Sequence, residues 1–294
     1  MSVSEPADRP LRVVSWNVAY RVGTAAVLQG EWLAALHPAP DIVLLQEVNP
    51  NSVDHLCRMA ELTWCRLAVD LRVAEADDRP VRRRGVAVAG RGPQPTQAFL
   101  LEGLPLPERT LIAQLRLAGL DLQVATYHAP PGVSWFEKKP AQAVGFARWL
   151  ADTKGPVIFG ADANTPLVDA IDFADSRTHW HTGNRRLHGA FGDDFLVGPG
   201  KIHDLDDALR RWLADHPAEV ADLRATQPNG PLRVSHRTGK RRTSPGTGRR
   251  FDSIWVSRHF EVVHIDYPYD SCIATGSDHA AVVTDLAVVT ANSR

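Results

Sequence analysis

The chain is short of cysteine: three in 294 residues, Cys57, Cys65 and Cys272, with no Cys-x-x-Cys pair. An odd, scattered set argues against a disulfide framework and fits a reducing compartment. No run of about eighteen apolar residues occurs, which excludes a conventional membrane-spanning helix. The opening "MSVSEPADRPLRVVSW" lacks a basic stretch followed by an apolar one, so no secretory leader is expected. There is no His-Glu-x-x-His zinc signature and no Gly-x-Ser-x-Gly nucleophile elbow. Net charge is also nearly absent, at −1, and says little about partners. These absences predict a soluble, cytoplasmic protein without a membrane partner.

What the chain does have is alternation. With 44% hydrophobic and 23% charged residues it can bury a core unaided, as one large α/β domain. Residues 11–290 are expected to form that domain, as a monomer, behind a disordered tail at 1–10. Short apolar runs end repeatedly in polar groups: "LRVV" in Ser15, Trp16 and Asn17, "DIVLL" in Gln46 and Glu47, "LQVAT" in Tyr127 and His128, "PVIFGA" in Asp162 and Asn164. The carboxyl ends of strands are where α/β sheets gather their chemistry. Helical periodicity predicts one apolar face from Ala25, Leu28, Trp32 and Leu36, and a second from Ala143, Phe146, Ala147, Leu150 and Ala151. Leu205, Ala208, Leu209, Trp212 and Leu213 make a third. Strand-helix-strand order at 11–47 and again at 120–164 points to two similar halves packed together.

Residues 233–250, "RVSHRTGKRRTSPGTGRR", carry seven Arg and Lys and no acid. Such a stretch has little to build a core with. It is expected to be a mobile basic loop, with Lys240, Arg241, Arg242 and Arg250 meeting an anionic substrate.

The polar strand ends, taken in order, are Asn17, Glu47, His128, Asp162 with Asn164, Asp252, and Asp278 with His279. Each alone is also what a turn, a cap or a surface ion pair produces. Together they form an inventory of carboxylates, carboxamides and imidazoles, without a cysteine nucleophile. That inventory suits metal-assisted attack by water, and oxygen ligands favour Mg²⁺ or Mn²⁺.

In this order the motifs resemble the Mg²⁺-dependent endonuclease/exonuclease/phosphatase superfamily: "SWNV", "DIVLLQEV", "YHAP", "GADAN", "RRFDSIWVS" and "SDHAAV". The resemblance implies a four-layer α/β sandwich, two packed mixed β-sheets flanked by helices, with the site at one edge. It implies Glu47 as the main metal ligand, with Asn17 and Asp278 near the ion or its waters. Asp162, oriented by Asn164, would activate water; Asp252 would hold His279 as a donor to phosphoryl oxygen, with His128 a second donor. The implied activity is a metal-dependent phosphodiesterase, an endo- or exonuclease on DNA, RNA or nucleotides. The alternatives are a silent polyanion-binding module of the same fold, or a phosphatase or phospholipase on a small or lipid phosphoester. Two departures stand out. Ala161 separates Gly160 from Asp162, and Arg82, Arg83 and Arg84 occupy a strand that in the family supplies a second glutamate, leaving His128 without an identified carboxylate partner.

Overall fold

The computed structural model describes residues 9–73, 84–117, 119–130, 137–178, 190–239 and 246–289. Its strands are β1 (Leu11–Asn17), β2 (Ile42–Val48), β3 (Trp64–Leu67), β4 (Gly85–Gly90), β5 (Gln97–Phe99), β6 (Thr110–Leu117) and β7 (Leu120–His128). They continue as β8 (Val157–Asp162), β9 (Asp206–Asp207), β10 (His236–Thr238), β11 (Thr247–Arg249), β12 (Asp252–Val256), β13 (Phe260–Asp266) and β14 (Val282–Val288). The helices are α1 (Thr24–Ala34), α2 (Val53–Met59), α3 (Ala68–Leu71), α4 (Lys138–Asp152), α5 (Ala190–Val197), α6 (Ala208–Ala214), α7 (Pro217–Thr226) and α8 (Tyr269–Ala274).

Two six-stranded sheets result, in the orders β13-β14-β1-β2-β4-β3 and β5-β6-β7-β8-β12-β9. The repeated strand-helix-strand order becomes one parallel pair inside each sheet, β1 with β2 and β7 with β8. Side-chain alternation then sorts each strand between layers. Val13, Ile42, Leu44, Val124, Ile158, Ile254 and Val256 meet in the core between the sheets. Val14, Trp16, Val43 and Leu45 face outward against Leu33 of α1 and Leu56 of α2. Val157, Phe159 and Ala161 face the other way, against Phe146, Ala147 and Leu150 of α4. The four-layer α/β sandwich expected from the sequence is the observed architecture.

The α4 face matches its periodicity, whereas α1 does not. Its buried residues are Ala26, Gln29, Gly30 and Leu33, and Leu28 is exposed. The reason is packing: a Cβ on Gly30 would collide with Leu56 and Met59 of α2, so α1 presents its smallest residue there. Gln29 meanwhile donates to the Val18 carbonyl at 3.0 Å. No helix among the described residues is long and apolar enough to cross a membrane.

Followed toward one end, the layer between the sheets changes character. Val13 gives way to Ser15 and then Asn17; Val124 to Thr126 and His128; Ile158 to Gly160 and Asp162. Small and hydroxyl residues at the middle level let the sheets come close, and a Cβ on Gly160 would strike the Ser15 side chain. Gln46 spans the gap, donating to Ser15 Oγ at 3.2 Å and Thr126 Oγ1 at 2.9 Å. The polar third level is the candidate site.

Candidate active site

Asp162 lies at the centre of this level. It is 1% exposed, accepts from Asn17 Nδ2 at 2.8 Å on one oxygen, and from the Asn164 amide at 2.9 Å on the other. Asn164 itself has φ of 49° and donates its side chain to the Ala129 carbonyl at 3.1 Å. Burial, partly offset by His279, raises the Asp162 pKa. A carboxylate held by two donors yet disfavoured in its charged form has high affinity for a proton.

On one flank, β12 and β14 supply a dyad. Asp252 Oδ2 lies 2.8 Å from His279 Nδ1, and His279 Nε2 points toward Asp162 Oδ2 at 3.9 Å. Burial would push the imidazole down, but Asp252, Asp162 and Asp278 outweigh it and raise its pKa to about 10. Asp252 Oδ1 is buried without a hydrogen-bond partner among the described residues. Ser277, expected only as part of the motif, locks the turn: its hydroxyl donates to the Asn17 carbonyl at 2.7 Å and accepts from the His279 amide at 3.0 Å. Asp278 is exposed beside it.

On the other flank, β2 and β7 bring Glu47 and His128. Glu47 sits at a bulge in the β2–β4 pairing with φ of 50°. Ala19 and Tyr20 in the facing loop also have positive φ, and the Tyr20 amide donates to the Glu47 carbonyl at 2.8 Å. Backbone strain in four non-glycine residues around one cleft is typical of places where side-chain direction matters more than local comfort. His128 Nε2 stands 3.6 Å from both Glu47 and Asp162. Burial, then Arg109, push its pKa well below the ordinary histidine value.

Two residues absent from the sequence expectation belong to this site. Arg109, on the turn before β6, places Nη1 3.0 Å from His128 Nδ1. His236 lies with its ring 4.4 Å from that of His279 and its Nδ1 3.0 Å from the Asp278 carbonyl. Its strand β10 pairs with β11, so the ends of the supposed mobile loop form a hairpin. Ser235 at its base accepts from the amides of Phe251 and Asp252 at 2.9 and 3.1 Å, while its carbonyl takes the Ala280 amide. The segment therefore buttresses the dyad.

Arg250 is a correction. It is 4% exposed and bound to Asp169 and Asp207, each at 2.7 Å, beside Arg210. Burial lowers its pKa but the two acids raise it well above its ordinary value, so the side chain is committed to the interior rather than to a substrate. Lys240, Arg241 and Arg242 lie outside the described residues.

The donor set suits a divalent cation. The carboxylates Glu47, Asp162, Asp252 and Asp278 face the His279 imidazolium and the Arg109 guanidinium, an excess of negative charge. Glu47 has no side-chain hydrogen bond among the described residues. Ligand atoms close enough to share one ion group as His236–Asp278–His279 and Asp162–Asp252–His279. Both groups need His279, whose Nδ1 is already taken by Asp252 at 2.8 Å. Glu47 with Asn17 is the better seat: Mg²⁺ needs only one or two carboxylates and keeps several waters.

No curated relative matches the chain. Among solved structures, an AP endonuclease from Archaeoglobus fulgidus superposes with TM-score 0.61 at 17% identity, over 95% of this chain and 100% of the other. D. rerio TDP2 complexed with single strand DNA product gives 0.60 at 18%, over 96% and 100%. The human nocturnin catalytic domain with bound sulfate gives 0.57 at 16%, over 95% of each chain. These likenesses are of fold. The endonuclease/exonuclease/phosphatase family model matches residues 14–279, from the strand of Asn17 to His279 itself, and the chain belongs to that family.

Proposed function

We propose that this protein is a divalent-cation-dependent phosphodiesterase that cleaves nucleic acid or nucleotide phosphoesters by attack of water. The observation that carries it is the meeting, within one polar level, of a buried carboxylate of raised pKa and an imidazole of raised pKa whose Nε2 faces it at 3.9 Å. A carboxyl raised to about 7 beside an imidazole raised to about 10 suits the pair to base and acid roles. Asp162 takes the proton from water, oriented by Asn17 and Asn164. His279, whose pKa Asp252 raises, donates to a phosphoryl oxygen as negative charge builds there. Glu47, with Asn17 on the neighbouring strand, would hold Mg²⁺ or Mn²⁺, which when bound would offset charge on the phosphoryl group.

A polynucleotide is favoured by the rim. Arg84 stacks 4.3 Å over the Tyr20 ring on the Glu47 flank, and Arg237 lies 5.5 Å from the Tyr269 ring on the His279 flank. Aromatic faces interleaved with guanidinium groups on both sides of a reacting centre suit bases and phosphates of a single strand. A single-stranded DNA product in a structure of the same fold agrees with this. The test is hydrolysis of plasmid DNA, RNA, single-stranded oligonucleotide and an aryl phosphodiester with Mg²⁺, alongside a chelator control and Glu47→Ala. Turnover confined to metal-loaded wild type supports the reading; undiminished turnover in chelator, or by the variant, contradicts the metal assignment.

A further inference from the structure

Arg109 meets His128 at Nδ1, while Nε2 faces Glu47 and Asp162. A guanidinium offers only donors. At 3.0 Å from Arg109 Nη1, His128 Nδ1 must therefore be the acceptor, and the ring proton sits on Nε2. A proton placed on Nδ1 would set N–H against N–H at this contact. Turning the ring over does not help, because carbon would then face both the guanidinium and the carboxylates of Glu47 and Asp162.

The turn that delivers Arg109 is itself clamped. Gln142 of α4 accepts from the Leu106 amide and donates to the Leu106 carbonyl, both at 3.0 Å, and also meets Thr110 Oγ1 at 3.0 Å. The Arg109 amide closes the turn on the Leu106 carbonyl at 3.0 Å. Both Arg109 and His128 are buried, at 4% and 3% exposure. A side chain this restrained holds its partner in one orientation.

We infer that Arg109 is a positioning residue that holds the His128 ring in one orientation as the Nε2–H tautomer, so that His128 presents Nε2–H to this site as a hydrogen-bond donor. A carboxylate at the same place would do the opposite, drawing a proton onto Nδ1 and favouring the charged ring. The tautomer assignment stands without the phosphodiesterase reading; its catalytic consequence, that His128 donates a hydrogen bond during the reaction, rests on it.

The experiment is long-range ¹H–¹⁵N correlation on ¹⁵N-histidine-labelled full-length protein with Mg²⁺ present, the His128 signals assigned with His128→Gln. Wild type is expected to show a bare Nδ1 and a protonated Nε2. Arg109→Met should lose that signature for mixed or Nδ1-protonated forms, and lower kcat by about 10- to 100-fold with KM little changed. Arg109→Lys, which keeps a buried donor, should retain the signature and most of the rate. A protonated Nδ1 in wild type overturns the proposal without any variant, as does an unchanged signature in folded Arg109→Met. If no phosphoester is turned over by wild type, the functional reading fails while the tautomer result still stands.

Discussion

Two ionic clusters lie two residues apart along the entry to β12, and they differ in what they leave over. Arg250 faces a closed knot with Asp169, Asp207 and Arg210, in which Asp169 is also met by the Leu232 amide at 3.1 Å. Asp252 faces an open one: a single imidazole partner, an unmatched oxygen, and a neighbouring carboxylate pushed toward protonation. Buried charge by itself therefore marks nothing. A cluster whose two guanidinium groups and two carboxylates balance is structural, and one with surplus charge is ready for a substrate.

Removing the open cluster should show in rate. His279→Ala is expected to lower kcat by about 10²- to 10⁴-fold, and Asp252→Ala by a similar or smaller factor. The double variant should be scarcely worse than the poorer single one, because a ring without its orienting acid and a missing ring fail at the same step. Multiplied losses in a stably folded double variant would separate the pair.

Removing part of the closed knot should show in stability. Asp169→Ala leaves Arg250 and Arg210 buried with one fewer acid, which costs about 3–5 kcal/mol and lowers Tm. Denaturant unfolding that is unchanged in this variant would mean the knot contributes nothing.

The clusters should also part with pH. An imidazole whose pKa rises on folding adds stability that is complete below its unfolded value near 6.5 and disappears as pH climbs through about 10. The stability gap between wild type and His279→Ala should narrow over that range. For Asp169, burial pushes the carboxyl up but Arg250 and Arg210 hold it below its ordinary value of 3.8. Its contribution is present above that value and is lost as pH falls further. Urea titrations at stepped pH check both, and narrowing at the same end for the two variants would erase the distinction.

Much of this was legible in the chain. Apolar runs ending in Asn17, Glu47, His128 and Asp162 named the ends of β1, β2, β7 and β8, and alternation placed three of the four between the sheets. Arg109 carries no such signal, because β6 runs antiparallel to β7 and presents its beginning, not its carboxyl end, to the site. His236 lies in a segment whose composition is that of a solvated loop, and the pairing of β10 with β11 and the contacts of Ser235 depend on partners further along the chain. Arg250 was misplaced for the same reason, since nothing near it in sequence reveals Asp169 and Asp207.

The smallest effects are expected at the rim. Tyr20→Ala and Tyr269→Ala should weaken single-stranded nucleic acid binding by about 1–3 kcal/mol each, while sparing an aryl phosphodiester. Neutralising Lys240, Arg241 and Arg242 should raise KM for the polynucleotide and flatten its salt dependence. Equal changes on the small substrate would remove these residues from substrate binding.

The most direct measurement pairs Asp162→Asn with Asp169→Asn, reading kcat on a single-stranded oligonucleotide with Mg²⁺ and Tm on the same preparations. Asp162→Asn is expected to lose at least about 100-fold in kcat with little change in Tm, whereas Asp169→Asn should unfold at lower temperature yet turn over near the wild-type rate while folded. Full activity in Asp162→Asn, with its fold intact, would contradict the assignment of this cleft as the catalytic centre.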